Sequence, residues 1–217
     1  MPKRVDAFEQ CAKEYDSWFE RNVRVYKAEL RAIKGALPPA GRGLEIGVGT
    51  GRFAGPLGIH TGIDPSPAMA AIARTRGIEV IIGKAELLPF AAEEFDYAVM
   101  ITTICFVDDM DRAFREAARV LKTSGCLVVG FIDRDSLLGK LYEARKDRDK
   151  FYHDARFYSV EEVTNRMREA GFEEPIAWQT VFCSAGSIAH EQLVKPGHGE
   201  GSFVVLKSMK RLSSHEL

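Results

Sequence analysis

The sequence lacks most features that would take it outside ordinary globular chemistry. Its four cysteines, Cys11, Cys105, Cys126 and Cys183, form no C-x-x-C pair and lie near no histidine at a zinc-like spacing, so no metal site is expected. No apolar run approaches the roughly 18 residues that a membrane-spanning helix needs. A charge excess is also missing, since 30 Lys and Arg face 31 Asp and Glu, for a net charge of -1. That balance gives neither nucleic acid nor an anionic membrane surface an electrostatic reason to bind. The N-terminal Met1-Pro2-Lys3-Arg4-Val5-Asp6 reaches charge before any apolar segment develops, so no secretory leader is expected and the reading is a reduced, cytoplasmic protein. The terminal Ser214-His215-Glu216-Leu217 echoes an ER-retention signal, which means nothing without a leader.

Hydrophobic residues at 46% and charged residues at 28% are globular proportions, and they exclude a disordered chain. Residues 6–37 carry Phe8, Cys11, Tyr15, Trp18, Val23, Tyr26, Leu30, Ile33 and Leu37 at steps of mostly three or four. This is the stripe of one or two amphipathic helices, and Pro38-Pro39 and Gly41 end it. Beyond it, apolar stretches at 44–46, 58–63, 79–82, 97–101 and 126–132 alternate with helical patterns at 51–57, 67–76 and 109–122. Such alternation predicts βαβ crossovers and a parallel sheet with helices on both faces. Ser66-Pro67 opens one helix, and Ser159-x-x-Glu162 is a capping box for another that Gly171 closes. Strand candidates at 176–182 and 202–207 follow. The reading is one α/β domain over 1–217 with a helical cap at 1–40.

The chemistry is concentrated in Leu44-Glu45-Ile46-Gly47-Val48-Gly49-Thr50-Gly51-Arg52. An apolar strand runs into glycines at alternate positions, where a ligand can approach the backbone without meeting a Cβ. The same pattern would serve a tight strand-to-helix turn. A G-x-G-x-x-G dinucleotide fingerprint would need a third glycine where Arg52 stands. Asp64 ends the next strand, 17 positions after Gly47, close to the roughly 20 of a nucleoside-binding βαβ unit. Such a carboxylate can accept hydrogen bonds from both ribose hydroxyls; alone, it could equally terminate a turn.

With Gly83-Lys84-Ala85-Glu86-Leu87-Leu88-Pro89-Phe90 and Phe95-Asp96-Tyr97-Ala98-Val99-Met100, four motifs stand in order. The chain resembles the class I S-adenosylmethionine-dependent methyltransferases that act on small molecules, over about residues 8 to 175. The resemblance implies a Rossmann-like, doubly wound, mostly parallel seven-stranded sheet with the last strand antiparallel. It makes 41–132 the cofactor-binding half and 133–217 the acceptor side. Gly47, Gly49 and Gly51 would pass under the methionine part and ribose of S-adenosylmethionine, and Glu45 would help fix the methionine ammonium, directly or through water. Asp64 would hold the ribose diol, with Pro65 and Met69 against adenine and Ala85 and Glu86 at its edge. Thr102 would lie near the sulfonium, and Tyr15 would close over the cofactor. Met69 reads equally well as plain core, and Tyr15 as helix packing. Lys84 departs from the pattern, because many relatives place there an Asp that bonds the adenine amino group, and lysine cannot accept such a bond.

The implied activity is in-line transfer of a methyl group to a small-molecule acceptor, leaving S-adenosylhomocysteine. There is no N/D-P-P-Y/F and no Pro-Cys pair after the fourth strand, Ile104-Cys105 reads as buried and apolar, and Asp108, Asp109 and Asp111 suit the start of a helix better than a metal. Acceptor selectivity is expected from the N-terminal helices and 134–158. There His153 is the available general base, or an exposed member of a helix-end cluster. Alternatives are a non-catalytic S-adenosylmethionine-binding protein and a nicotinamide-dependent oxidoreductase; Arg52 argues against the latter.

Overall fold

The computed structural model describes residues 6–182 and 193–212; Cys183 and the terminal tetrapeptide lie outside them. The N-terminal stripe folds as three helices, α1 (Asp6–Gln10), α2 (Ala12–Arg21) and α3 (Val23–Ala36). The breaks fall at Cys11, with ψ 29°, and at Asn22, with ψ 38°, where the Asn22 amide donates back to Trp18 O at 3.0 Å. The chain continues through β1 (Gly43–Ile46), α4 (Ala54–Leu57), β2 (Thr61–Asp64), α5 (Pro67–Arg74), β3 (Glu79–Ile82), β4 (Phe95–Ile101), α6 (Met110–Val120) and β5 (Leu121–Ile132). It ends with α7 (Leu137–Arg145), α8 (Val160–Glu169), β6 (Ile176–Thr180), β7 (Lys195–Pro196) and β8 (Phe203–Met209).

Local chemistry explains the boundaries. Ser66 caps α5 by accepting from Met69 N, and the Ser159–Glu162 capping box of α8 is complete in both directions. The helix expected at 51–57 starts only at Ala54, because the glycine loop is still turning, and Gly58 ends it in the left-handed region. Helix α6 passes into β5 without a loop. Leu121 pairs with Phe95, and a register shift then brings Cys126 opposite Tyr97.

The strand order is β3-β2-β1-β4-β5-β8-β6-β7. β1 to β5 run parallel, while β8 is inserted antiparallel between β5 and β6. The strand beyond the expected seven is β7, only two residues long, at the outer edge. Successive residues of a strand point to opposite faces, so Leu44 and Ile46 join one core, with Phe114 and Ala117 of α6, and Val163 of α8. The other core holds Ala28, Ala32 and Ile33 of α3 against Val99 and Val128. Helices thus cover both faces, and the carboxyl ends of β1, β2 and β4 open onto one crevice, as open α/β sheets provide.

Candidate active site

That crevice holds about 820 Å³ of empty space, counted together with the solvent it opens onto. Tyr15, Gly47, Gly49, Asp64, Pro65, Met69, Ala85, Glu86 and Thr102 all line it. Glu45 and Gly51 are not part of its wall. Gly51 instead packs where a Cβ would strike Ile78 and Ala73. Glu45 is buried on β1, held by the Ala54 amide, with Oε2 lacking a hydrogen-bond partner. Burial pushes its carboxyl well above the usual range.

Asp64, only 7% exposed, ties two strand ends together. Its Oδ2 accepts from Gly49 N at 2.8 Å and its Oδ1 from Ser66 N at 2.9 Å. Each oxygen keeps a further lone pair, so a diol can be received bidentately by a carboxylate already fixed in orientation. Burial raises its pKa to about 6, against the pull of the Ser66 and Gly49 amides and with help from the Glu9 charge. Gly49 sits at φ +52°, and a Cβ there would meet nothing nearer than the Tyr15 ring at 3.9 Å. It would project into the crevice, which makes the bare backbone a cradle for a ligand. A nucleoside with a free ribose diol fits these two features.

The roof comes from the N-terminal helices. The Tyr15 hydroxyl is hydrogen-bonded to the Thr102 side chain, and burial, then the charges of Glu29 and Asp64, hold its pKa far above the ordinary value. The Phe8 ring lies 5.4 Å from that of Tyr15 and 4.8 Å from that of Phe106. Helix α1 buries none of its residues. The Glu9 carboxylate fixes it by accepting from Ser66 Oγ at 2.5 Å and Ala68 N at 3.0 Å. Thr102 takes φ +51°, with its N–H donating to Gly130 O at 2.7 Å and its hydroxyl to Ile101 O at 2.8 Å.

Several expected residues carry additional work. Glu86 Oε1 accepts from Asp108 N at 2.6 Å and Asp109 N at 3.2 Å, so it organises the loop into α6. Lys84 pairs with Asp108 at 3.0 Å. Asp109 caps α6 through Arg112 N, and Asp111 pairs with Arg166 at 2.6 Å, which accounts for the crowded aspartates. Met69 is 2% exposed and lies on the crevice wall. His153 is 59% exposed at the side chain, 3.1 Å from Asp154, and lines neither cavity described here. Phe8, Phe106 and Asp108 line the crevice without having been expected. Phe8 shares the apolar stripe of Tyr15, and that was its one visible signal.

A second cavity, of about 260 Å³, shares Thr102 with the first and is lined by Cys105, Phe131, Tyr152, Phe157 and Tyr158 among others. Cys105 is buried, and its thiol donates to Thr102 O at 3.2 Å. Among the described residues no helix is long and apolar enough to cross a membrane.

Residues 44–129 match the family model of a methyltransferase domain. An S-adenosylmethionine-dependent methyltransferase from Thermotoga maritima, described as a possible histamine N-methyltransferase, is 51% identical, with a TM-score of 0.93 over 95% of this chain and 100% of that one. An uncharacterised protein of Methanocaldococcus jannaschii is 48% identical over 95% of this chain and 100% of its own. The malonyl-[acyl-carrier protein] O-methyltransferase of Geobacter sulfurreducens is 30% identical over 77% of this chain and 68% of its own. A bare glycine backbone at the end of β1, a buried carboxylate at the end of β2 and these relatives converge: the chain belongs to the class I S-adenosylmethionine-dependent methyltransferases, and S-adenosylmethionine is its cofactor.

Proposed function

We propose that this methyltransferase acts on a small-molecule acceptor, presented to the methyl group at Thr102 in the aromatic-lined part of the crevice. The observation that carries the reading is that the rings of Tyr15, Phe8 and Phe106 line the same crevice as Thr102 and the glycine loop. In this reading 41–132 holds the cofactor and 133–217 shapes the acceptor side.

S-Adenosylmethionine supplies an already activated sulfonium methyl, so the protein's task is chiefly alignment and exclusion of water. Positioning alone supplies effective molarities of about 10⁵ M and above. Asp64 receives the ribose hydroxyls, the Gly49 backbone admits the ligand, and Tyr15 with Phe8 keeps water out from above. Glu45, behind the loop, would hold the methionine ammonium with its unpartnered oxygen, directly or through water. Ala85 and Pro65 flank adenine.

The experiment is incubation of the protein with radiolabelled cofactor and a fractionated cell extract. Label in the small-molecule fraction is expected. Label confined to protein or nucleic acid would overturn the reading.

A further inference from the structure

Lys84 and Asp108 have no part in the chemistry above, yet both line the cofactor crevice. Lys84 Nζ donates to Asp108 Oδ2 at 3.0 Å. The two side chains are 46% and 50% exposed, so as an ion pair they add little to stability. Their placement is more informative. In the strand order β3-β2-β1-β4, the pair joins the chain leaving β3 to the chain leaving β4, across the ends of β2 and β1. The course of the chain into Lys84 is fixed from β2, because Asp64 stands opposite Ile82 and Gly83 N donates to Asp64 O at 3.1 Å. Asp108 is fixed by Glu86, whose Oε1 accepts from its backbone N–H at 2.6 Å and from Asp109 N at 3.2 Å. A donor and an acceptor thus stand side by side, two residues beyond the strand position that pairs with Asp64. An ammonium carries three donors and a carboxylate about four lone-pair sites, so the two can bond each other and a ligand at once. Adenine presents the complement on its Watson–Crick edge, where the 6-amino group donates and the neighbouring N1 accepts.

We propose that Lys84 and Asp108 together read the edge of adenine, Asp108 accepting from the 6-amino group and Lys84 donating to N1. Lysine alone cannot accept from an amino group; the aspartate that it holds across the crevice supplies the acceptor. The proposal rests on the proposed placement of ribose at Asp64 and of adenine beside Ala85 and Pro65, and it adds selectivity for the base.

The test is calorimetry of S-adenosylhomocysteine and two analogues with wild type, Asp108→Ala and Lys84→Met. One analogue lacks the 6-amino group, with purine in place of adenine, and the other has carbon in place of N1. Wild type should bind each analogue about tenfold more weakly than S-adenosylhomocysteine, for one charge-assisted hydrogen bond at a half-exposed site. Asp108→Ala should bind S-adenosylhomocysteine about tenfold more weakly and no longer prefer it to the purine analogue. Lys84→Met should lose the preference for N1 in the same way. Both variants should melt within about 3 °C of wild type. A merely structural ion pair would weaken all three ligands alike in the variants, and that outcome would overturn the proposal, as would wild-type binding of the analogues within threefold of S-adenosylhomocysteine. Asp64→Ala, titrated with S-adenosylhomocysteine, tests the ribose placement separately. Affinity within threefold of wild type would overturn that placement and the proposal with it. A loss of about a hundredfold, with Asp108→Ala still preferring the 6-amino ligand, would sustain the ribose placement and overturn the reading of the base edge.

Discussion

Arg52 donates to both carboxylate oxygens of Asp16, at 2.8 and 2.6 Å, and so pins the residue beside Tyr15 to the cofactor loop. Arg76 reaches the same carboxylate at 2.9 Å and also bonds Thr50 O at 2.7 Å. Burial opposes the Asp16 charge, yet the bonds from Arg52 and Arg76 outweigh it and bring its carboxyl down to about 2. Arg52 and Asp16 are 17% and 16% exposed at their side chains, so solvent screens this pair little. The position where a dinucleotide fingerprint would have glycine is instead the tie between loop and roof.

Arg52→Gln should therefore loosen Tyr15 as well as the helix that carries it. Arg76 still pairs with Asp16 in the variant, so the loss is that of a charge-assisted hydrogen bond, about 2 kcal/mol. Denaturant unfolding should show that loss, and calorimetry should show cofactor binding weakened by at least tenfold. Unchanged affinity in a folded variant would separate the tie from the roof.

Asp64 gives cofactor binding a pH dependence with a definite sign. In the free protein its pKa is about 6, and hydrogen bonds from ribose hydroxyls, under the proposed role, would favour the ionised form and lower that value. Acidification below 6 thus removes the binding-competent state, and affinity should be about tenfold lower at pH 5 than at its plateau. The linked stability runs the opposite way. Because the folded pKa lies above that of the unfolded chain, burial of Asp64 destabilises the free protein at neutral pH, and this penalty fades as pH falls from about 6 toward 4. Asp64→Ala should weaken binding roughly a hundredfold, from two lost charge-assisted bonds, and flatten the titration. Calorimetry from pH 5 to 8 checks both.

Two glycines separate backbone strain from steric exclusion. Gly49 and Gly58 both have positive φ, +52° and +72°, but a Cβ at Gly58 would meet nothing. Each alanine should cost about 1–2 kcal/mol of stability from the left-handed backbone. Only Gly49→Ala should also weaken S-adenosylhomocysteine binding, by an order of magnitude or more. Thermal melts beside calorimetry for the two variants make the comparison.

His153→Ala should leave turnover within twofold of wild type, since the ring is exposed, pairs with its neighbour Asp154 and borders neither cavity. A collapse of kcat with unchanged folding would restore it as the general base.

The sequence announced what is local. The glycine loop, the Asp64 strand end, the Ser66 cap and the Ser159–Glu162 box each lie within a few residues, where turn and capping chemistry is legible. It was silent on long-range placement. That Phe8 and Phe106 meet over the crevice depends on how α1 folds back, fixed by Glu9 reaching Ser66 across 57 positions. Glu86 read as a cofactor contact and Lys84 as a departure from the pattern, and their engagement with 108 and 109 follows from the loop after β4, which no short motif encodes. Arg52 was legible only as a missing glycine, because its partners Asp16 and Glu20 stand far off in sequence, on α2.

Thr102 also bears on engineering for heat resistance. A β-branched residue at φ +51° is strained, by about 1–3 kcal/mol, and here the strain lies where the two cavities meet. Thr102→Gly relieves it and should raise the melting temperature by several degrees, even after loss of the hydroxyl bonds to Ile101 O and Tyr15. Turnover should fall at the same time, because the freed Tyr15 no longer has its partner across the crevice. A selection scheme that rewards survival at high temperature alone would thus drift toward glycine at this position and accumulate robust, slow variants. Screening melting temperature and methyl transfer on the same Thr102 library would show whether the two rankings are inverted.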